Sequence, residues 1–182
     1  MHISEVRLTA AGVSQWVTID TFGAPTSVGI GCILSNGASL TYSVEHTFDD
    51  LNLANLRSVN LTQTGTTVTV TDSGKLGNGH NLSVGDSVYI QGSGSSVTDG
   101  WFTVASIVSS NQYTYTAGTS QNYTGSPLTK SITARVFTHV SLAAQTARAD
   151  GNYAFNISAT RLHVTAWTSG VATMLVQSGL AR

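Results

Sequence analysis

Histidines and acidic residues are the side chains of this sequence best suited to chemistry, and there are only five of the first and nine of the second. His46 lies beside Glu45 and shortly before Asp49 and Asp50, a composition that suits a general base. Residues of a strand alternate between its two faces, however, so His46 shares a face with Val44 and not with Glu45. We therefore expect His46 to be a partly buried core or interface histidine.

The remaining candidate ligands do not form a metal-binding pattern. His139 and His163 belong to two other predicted strands that can approach each other, but no H-x-H or H-x3-H pair supplies two ligands from one element. Three aspartates of the middle of the chain fail to match a calcium loop, and we expect them to stabilise turns; they are Asp72, Asp86 and Asp99. The sequence predicts no metal and no cofactor.

Motifs for hydrolysis and nucleotide binding are also missing. No serine stands in G-x-S-x-G, and Gly29-Ile30-Gly31 lacks the third glycine and the following helix of a dinucleotide site. Distant strands can still bring carboxylates such as Glu5, Asp20 and Glu45 together, as glycoside cleavage requires. We expect no enzymatic activity and keep a glycan-degrading enzyme as a minor alternative.

Composition narrows the classes of partner. Charged residues make up 9% of the chain, against about 25% in ordinary domains, and serine and threonine fill about a quarter of it. Burying a hydroxyl group against a partner costs less desolvation free energy than burying a charge, so such a surface suits assembly. The eight basic residues are scattered, which predicts no nucleic-acid partner. With no long apolar run and no signal-like N-terminus, we expect neither a membrane partner nor export.

Alternating and β-branched segments between turn signals predict an all-β protein. Asn36-Gly37 is typical of a type I′ hairpin, Ser169-Gly170 of a similar turn, and Asp150-Gly151 of a turn before the next strand. The single Cys32 lies in an apolar run and is expected to be buried. Outside the middle segment, strands are predicted near 4–9, 15–20, 28–35, 39–48, 132–142, 153–159, 161–167 and 171–177. This number of strands fits a jelly-roll-like antiparallel β-sandwich.

The middle of the chain reads as a small β-barrel-like domain inserted between two strands of that sandwich. We expect residues 1–58 and 129–182 to form one discontinuous platform, and residues 62–126 to form the insert, because segments rich in Gly, Ser, Thr and Asn bracket it. Residues 49–56 are predicted to be a helical turn or a loop leading out. The expected core of the insert consists of Val70, Val88, Ile90, Phe102, Val104, Ile107 and Tyr113.

Aromatic residues cluster in the insert and the segment that follows it. Trp101, Tyr113, Tyr115 and Tyr123 are the candidate partner contacts, since their rings can stack on sugars or pack against a protein. The alternative is that Trp101 and Tyr113 belong to the core while the other two cover the ends of the barrel.

Two parts of the chain resemble virion structural proteins of small tailed bacteriophages, of the head decoration or cement-like kind. In the platform the resemblance is carried by residues 41–50 (TYSVEHTFDD), 146–155 (TARADGNYAF) and 161–177 (RLHVTAWTSGVATMLVQ). The insert resembles the small β modules of phage fibre proteins through residues 82–88 (LSVGDSV) and 99–104 (DGWFTV), with Asn81 where glycine is more usual.

This resemblance implies a capsid decoration protein without catalytic residues. It would bind major capsid subunits or other virion proteins, form a homo-oligomer, display the insert outward and reside on the capsid surface after assembly in the host cytoplasm. The alternative is a tail or fibre component that binds a host surface glycan through the insert.

Overall fold

The chain is built from antiparallel β-strands. The computed structural model describes residues 2–19, 26–72, 74, 77–92, 99–124 and 129–180, and its chain contacts divide into two compact units. The outer unit comprises Met1–Phe48 and Phe137–Arg182, and the inserted unit comprises Asp49–Val136. The part of the chain described here has no α-helix. Neither of its two short 3-10 helices approaches the length needed to cross a membrane.

Fifteen strands and two 3-10 helices are described. In chain order the strands are β1 (His2–Leu8), β2 (Gly12–Val13), β3 (Val17–Thr18), β4 (Thr26–Leu34), β5 (Ser39–Thr47), β6 (Arg57–Ser58), β7 (Asn60–Thr71), β8 (Ser87–Gln91), β9 (Gly100–Ser109), β10 (Gln112–Thr124), β11 (Lys130–Ala134), β12 (Phe137–Thr138), β13 (Ala149–Tyr153), β14 (Ala159–Ser169) and β15 (Ala172–Leu180). The 3-10 helices are η1 (Leu53–Asn55) and η2 (Val140–Leu142). The predicted helical turn in residues 49–56 is therefore the single turn η1.

The outer unit is a two-layer sandwich. Its first sheet has the order β1-β15-β4-β13, and its second has the order β12-β5-β14-β2 with β3 also paired to β14. Alternate residues of β4, β5, β14 and β15 point between the sheets and form the core, which includes Val28, Ile30, Cys32, Tyr42, Val44, Leu162, Val164, Met174 and Val176. The predicted all-β antiparallel sandwich is confirmed.

The insertion point lies between two neighbours in one sheet. β12 pairs with β5 in antiparallel register, with Phe137 opposite His46 and Thr138 opposite Glu45. The chain therefore leaves the second sheet after β5 and re-enters it at the adjacent strand. The boundaries predicted at Ser58 and Thr129 both lie inside the inserted unit, because β11 pairs there with β6 and β8.

The inserted unit is a single curled sheet with the order β6-β11-β8-β9-β10-β7. Only Val59 separates β6 from β7, although these strands stand at opposite ends of that order, so the sheet must curl until its two edges approach each other. Arg57 beside one edge makes a bidentate ion pair with the buried Asp72 just beyond the other, at 2.6 Å for its shortest contact. The small barrel-like character predicted for the insert follows from this curl.

β7 curls at a corner. Its pairing with β10 shifts register between Thr116 and Gln121, opposite Gly65. Gly65 has φ +62°, a backbone conformation that residues with a side chain adopt only at a cost. The Gln63 amide donates to the carbonyl oxygens of Gly65 and Thr119 and so fixes both sides of the corner.

Two predicted turns join sheets instead of paired strands. Asn36-Gly37 connects β4 of the first sheet with β5 of the second, and only Gly37 has a positive φ there, so the predicted type I′ hairpin is wrong. Ser169-Gly170 likewise connects β14 with β15 across the two sheets. Turn chemistry identifies a reversal of the chain, but it does not determine which strand becomes the hydrogen-bonding neighbour.

Four further predictions differ from the structure. The strand predicted at 153–159 is not formed, since β13 ends at Tyr153 and β14 begins at Ala159. Asp150-Gly151 is part of β13 and not a turn, and a Cβ atom at Gly151 would lie 3.0 Å from the His139 ring, so close packing explains this glycine. The strand predicted at 132–142 is two strands, β11 and β12, which belong to different units. Ile107, predicted as core, is 38% exposed.

Candidate functional site

The four aromatic residues predicted as partner contacts are placed differently from one another. The rings of Tyr113 and Tyr115 are buried, at 0% and 2% exposure, and Phe102 stacks on Tyr115 with ring centroids 4.3 Å apart. Trp101 is partly exposed and pairs across the strands with Tyr89, with ring centroids 5.5 Å apart. The side chain of Tyr123 lies outside the described residues. Only Trp101 of the four is therefore seen to contribute to a surface.

His46 is a buried histidine, as predicted, and it is surrounded by aromatic rings. It is 6% exposed, contacts Tyr153 at 4.9 Å, and lies beneath three rings that are about half exposed; these belong to Phe48, Phe137 and Phe155. Its Nδ1 atom is buried without a hydrogen-bond partner. Burial and the nearby His139 lower the pKa of His46, which favours its neutral form.

The second sheet holds an ion network on its outer side that the sequence did not predict. Glu45 on β5 is 7% exposed and accepts hydrogen bonds from Arg161 Nε and His163 Nδ1, both at 2.7 Å. The guanidinium of Arg161 lies 4.5 Å from the centre of the Trp16 ring. The face of β5 opposite to Val44 and His46 is thus covered too, and residues 42–47 are all buried.

Charge interactions and hydrogen bonds hold the side chains of this network in place. Burial alone would raise the pKa of Glu45, but the His163 hydrogen bond and the Arg161 charge outweigh it and hold the pKa below its usual range. Both carboxylate oxygens are already engaged, which removes Glu45 as a free acid or base. A carboxylate that orients a histidine also occurs in hydrolases, where the other ring nitrogen of the histidine bonds a nucleophilic hydroxyl or thiol.

His139 and His163 lie in different surroundings. His139 packs on Tyr153 near His46, whereas His163 is held by Glu45. In the ranges that the structure describes, no group of three or more His, Cys, Asp or Glu side chains is placed to hold a metal ion.

The outer side of the first sheet has an unusual central strand. Val28, Ile30 and Cys32 of β4 point into the core, so Gly29 and Gly31 occupy the outward positions between them. Neither glycine has a positive φ, and a Cβ atom at either would meet nothing within 4 Å. The fold therefore requires glycine at neither position, although glycine weakens a strand interior by roughly 0.5–1 kcal/mol relative to alanine.

We call this surface the glycine face. It contains the outward residues of β1, β15 and β4, which are Ile3, Glu5, Arg7, Thr173, Leu175, Gln177, Gly29, Gly31 and Ile33. Register places Leu175 between Glu5 and Gly31. Ile3 and Ile33 are 57% and 39% exposed, and the Glu5 and Arg7 side chains pair with each other at 3.3 Å. On the other side of β4, outward residues of β13 border this surface, with the exposed Asp150 opposite Gly31 and the exposed Asn152 opposite Gly29. The result is a strip of open backbone with the apolar Leu175 on one side and a carboxylate and an amide on the other.

The glycine face has a signal in the sequence that motif reasoning did not use. As a motif, Gly29-Ile30-Gly31 is only an incomplete nucleotide-binding pattern. Two glycines at alternate positions of an apolar strand indicate instead that the middle of one face of this strand carries no side chains.

Comparisons with protein-family models, with curated proteins and with solved structures found no match for this chain.

Proposed function

We propose that this protein is a virion structural protein, a bacteriophage capsid decoration protein that docks on major capsid subunits through the glycine face. The observation that carries the proposal is the pair Gly29 and Gly31, which the fold does not require. Glycines of this kind are found where another backbone approaches closely. The resemblance of the flanking segments to small phage virion proteins supports the same class.

The position of the insertion suits such a role. The inserted unit connects β5 to β12, and both of these strands belong to the second sheet. The glycine face lies on the outer side of the first sheet. A partner on the glycine face therefore leaves both connections to the insert untouched. This arrangement fits a platform that docks and a module that is displayed.

The scarcity of charge favours assembly as well. Burying unpaired ions against a partner is costly, while a surface of backbone, hydroxyl and aliphatic groups is desolvated at lower cost. On the outer side of the first sheet Glu5 and Arg7 pair with each other, and the exposed Asp150 opposite Gly31 is a carboxylate for which a docked partner would have to supply a polar or basic group.

The test replaces Gly31 with threonine, a good strand former. Because the site is open, Gly31→Thr should leave the outer unit folded and at least as stable, yet its side chain would block close approach of a partner. Gly118→Thr is the matched control, since Gly118 lies in a strand of the inserted unit, has no positive φ and has no neighbour within 4 Å of its Cβ position.

The readout is binding to phage particles assembled without this protein, followed by co-sedimentation and cryo-electron microscopy. We expect wild type and Gly118→Thr to decorate the head and Gly31→Thr to remain in the supernatant. Equal decoration by all three proteins would exclude the glycine face, and no density on the head for the wild type would refute the decoration role. The proposal also includes a homo-oligomer, and light scattering of the free protein would measure its mass.

A second candidate function is that of a tail or fibre component which binds a host surface glycan through the insert. The partly exposed pair of Tyr89 and Trp101 supports it, because adjacent aromatic rings offer a stacking surface. It predicts that Trp101→Ala reduces adsorption of particles to host cells. Unchanged adsorption would remove this support.

A further inference from the structure

A shallow depression lies at one end of the outer unit, where β5 begins and β14 ends. It encloses about 380 Å³, at the lower end of the range for small-molecule sites. Its lining consists of Ala38, Ser39, Leu40, Thr41, Thr146, Ala166, Trp167 and Thr168. None of these described residues carries a charge, and four of them carry hydroxyl groups.

Trp167 is held in place beside this depression. The indole Nε1–H donates to the Gly170 carbonyl oxygen at 3.0 Å, while 42% of the residue stays exposed. The pairing of β14 with β5 shifts register on both sides of Trp167, between Val164 and Ala166 and again before Ser169. Such irregularities redirect side chains and are frequent beside binding sites.

The turn that accepts the indole hydrogen bond is itself fixed. Gly170 has φ +95°, and a Cβ atom there would lie 2.5 Å from the Ala38 Cβ atom, so the two turns that cross between the sheets pack tightly together. Ser35 strengthens this contact, because its amide donates to the Val171 carbonyl and its hydroxyl accepts from the Val171 amide, both at 3.0 Å. The Trp167 side chain is therefore oriented before any ligand arrives.

The opposite wall is also anchored. The loop that carries Thr146 is bridged to β5 by two backbone hydrogen bonds between Tyr42 and Gln145, at 2.9 and 2.7 Å. The buried Tyr42 hydroxyl donates to the Ala147 carbonyl at 2.9 Å. Thr146 thus lies between two residues that are held in place. Binding a ligand would therefore cost this loop little conformational entropy.

We propose that this depression is a binding site for a neutral sugar. An aromatic ring whose only polar atom is already bonded offers an apolar face to the C–H groups of a pyranose. The surrounding hydroxyls can donate to and accept from the sugar hydroxyls, whereas an ionic ligand would find no counter-charge in the lining. The site belongs to the outer unit and is independent of both the glycine face and the insert.

The test is titration of the full protein with neutral sugars, observed through the tryptophan indole N–H signals in NMR spectra. The probes are glucose, galactose, mannose, N-acetylglucosamine and their β-linked disaccharides, with glucuronic acid and N-acetylneuraminic acid as charged controls. We expect at least one neutral sugar to shift the Trp167 signal, and Trp167→Ala to weaken that binding by about tenfold or more.

Three variants make the outcome decisive. Trp101→Ala should retain binding, which separates this site from recognition by the insert. Gly31→Thr should retain it too, so that failure of the docking proposal leaves the sugar site intact. Thr168→Val should weaken binding while the fold is kept. The proposal is overturned if no neutral sugar of the panel shifts the Trp167 signal, if Trp167→Ala binds as well as wild type, or if only the acidic sugars bind.

Discussion

Removal of the Arg161 charge should test whether the buried ion network stabilises the outer unit. The perturbation is Arg161→Met, which keeps an unbranched apolar stem over Trp16 and deletes the guanidinium. Arg161 is 2% exposed and its Nε atom lies 2.7 Å from Glu45 Oε2, so the change leaves a buried carboxylate that keeps its hydrogen bond with His163.

The magnitude follows from that geometry. Breaking one partner of a buried pair costs about 3–5 kcal/mol, and the retained His163 contact places Arg161→Met near the lower end, at about 3 kcal/mol. Glu45→Gln should cost more, because it leaves the Arg161 cation without this carboxylate. The double variant should cost less than the sum of the two single changes, since it buries neither charge alone.

Cys32 provides an assay that reports on the outer unit alone. It is the single cysteine of the chain, it is 2% exposed in the sandwich core, and burial raises its thiol pKa to about 11. A thiol reagent at mildly alkaline pH should therefore react with it only after the outer unit opens. A loss of about 3 kcal/mol would accelerate labelling by roughly 150-fold.

The control is Arg7→Met, which breaks the ion pair with Glu5 on the surface, where the side chains are 68% and 50% exposed. Exposed pairs contribute about 0–1 kcal/mol, so labelling should change by about fivefold at most. Wild-type labelling rates in both Arg161→Met and Glu45→Gln would refute a stabilising network. Strict additivity in the double variant would show that the two side chains do not act through each other.

Three further predictions concern single positions. Because the folded pKa of His46 is lowered, the unfolded chain binds the proton more readily, so the contribution of His46 to the stability of the outer unit should be complete above about pH 6.5 and be lost below it. His46→Leu should weaken this dependence when the free energy of unfolding is measured in urea at several values from about pH 5 to 8. Gly65→Ala should lower the unfolding free energy of the inserted unit by about 1 kcal/mol, whereas Gly118→Ala should leave it unchanged or raise it slightly, in urea titrations followed by Trp101 fluorescence in a background where Trp16 and Trp167 are replaced by phenylalanine. Gly151→Ala should crowd the His139 ring and Leu142, costing the outer unit about 1–3 kcal/mol by Cys32 labelling, and no loss would contradict the close-packing explanation.

Local patterns in the sequence identified most strands of the outer unit and part of the buried core. Alternation identified Val44 and His46 on the inner face of β5, and the apolar run around Cys32 identified β4. The interruption of one β unit by another was also visible, because linker-like composition and a second set of strands occur together in the middle of the chain. These signals depend only on residues close to one another along the chain.

Features that depend on residues far apart in the sequence could not be predicted from local patterns. Glu45 meets Arg161 and His163 only because β5 and β14 pair across more than a hundred residues, and nothing local to either strand specifies that register. The same holds for Tyr115, whose ring is buried because Phe102 of the neighbouring strand stacks on it. The alternate glycines of the glycine face are visible in the sequence, but the surface that they form depends on which strands pair with β4.

The pairing of β5 with β12 has a consequence for the entropy of the chain. A flexible segment from residue 49 to residue 136 would make that pairing about 3 kcal/mol harder to close than a two-residue turn would. The inserted unit avoids this cost by folding, since the Asp49 carboxylate accepts from the Arg135 backbone amide and guanidinium and holds its two ends together. Any compact body with adjacent ends would satisfy the same condition, so this position can accept exchanged modules while the sandwich stays unchanged.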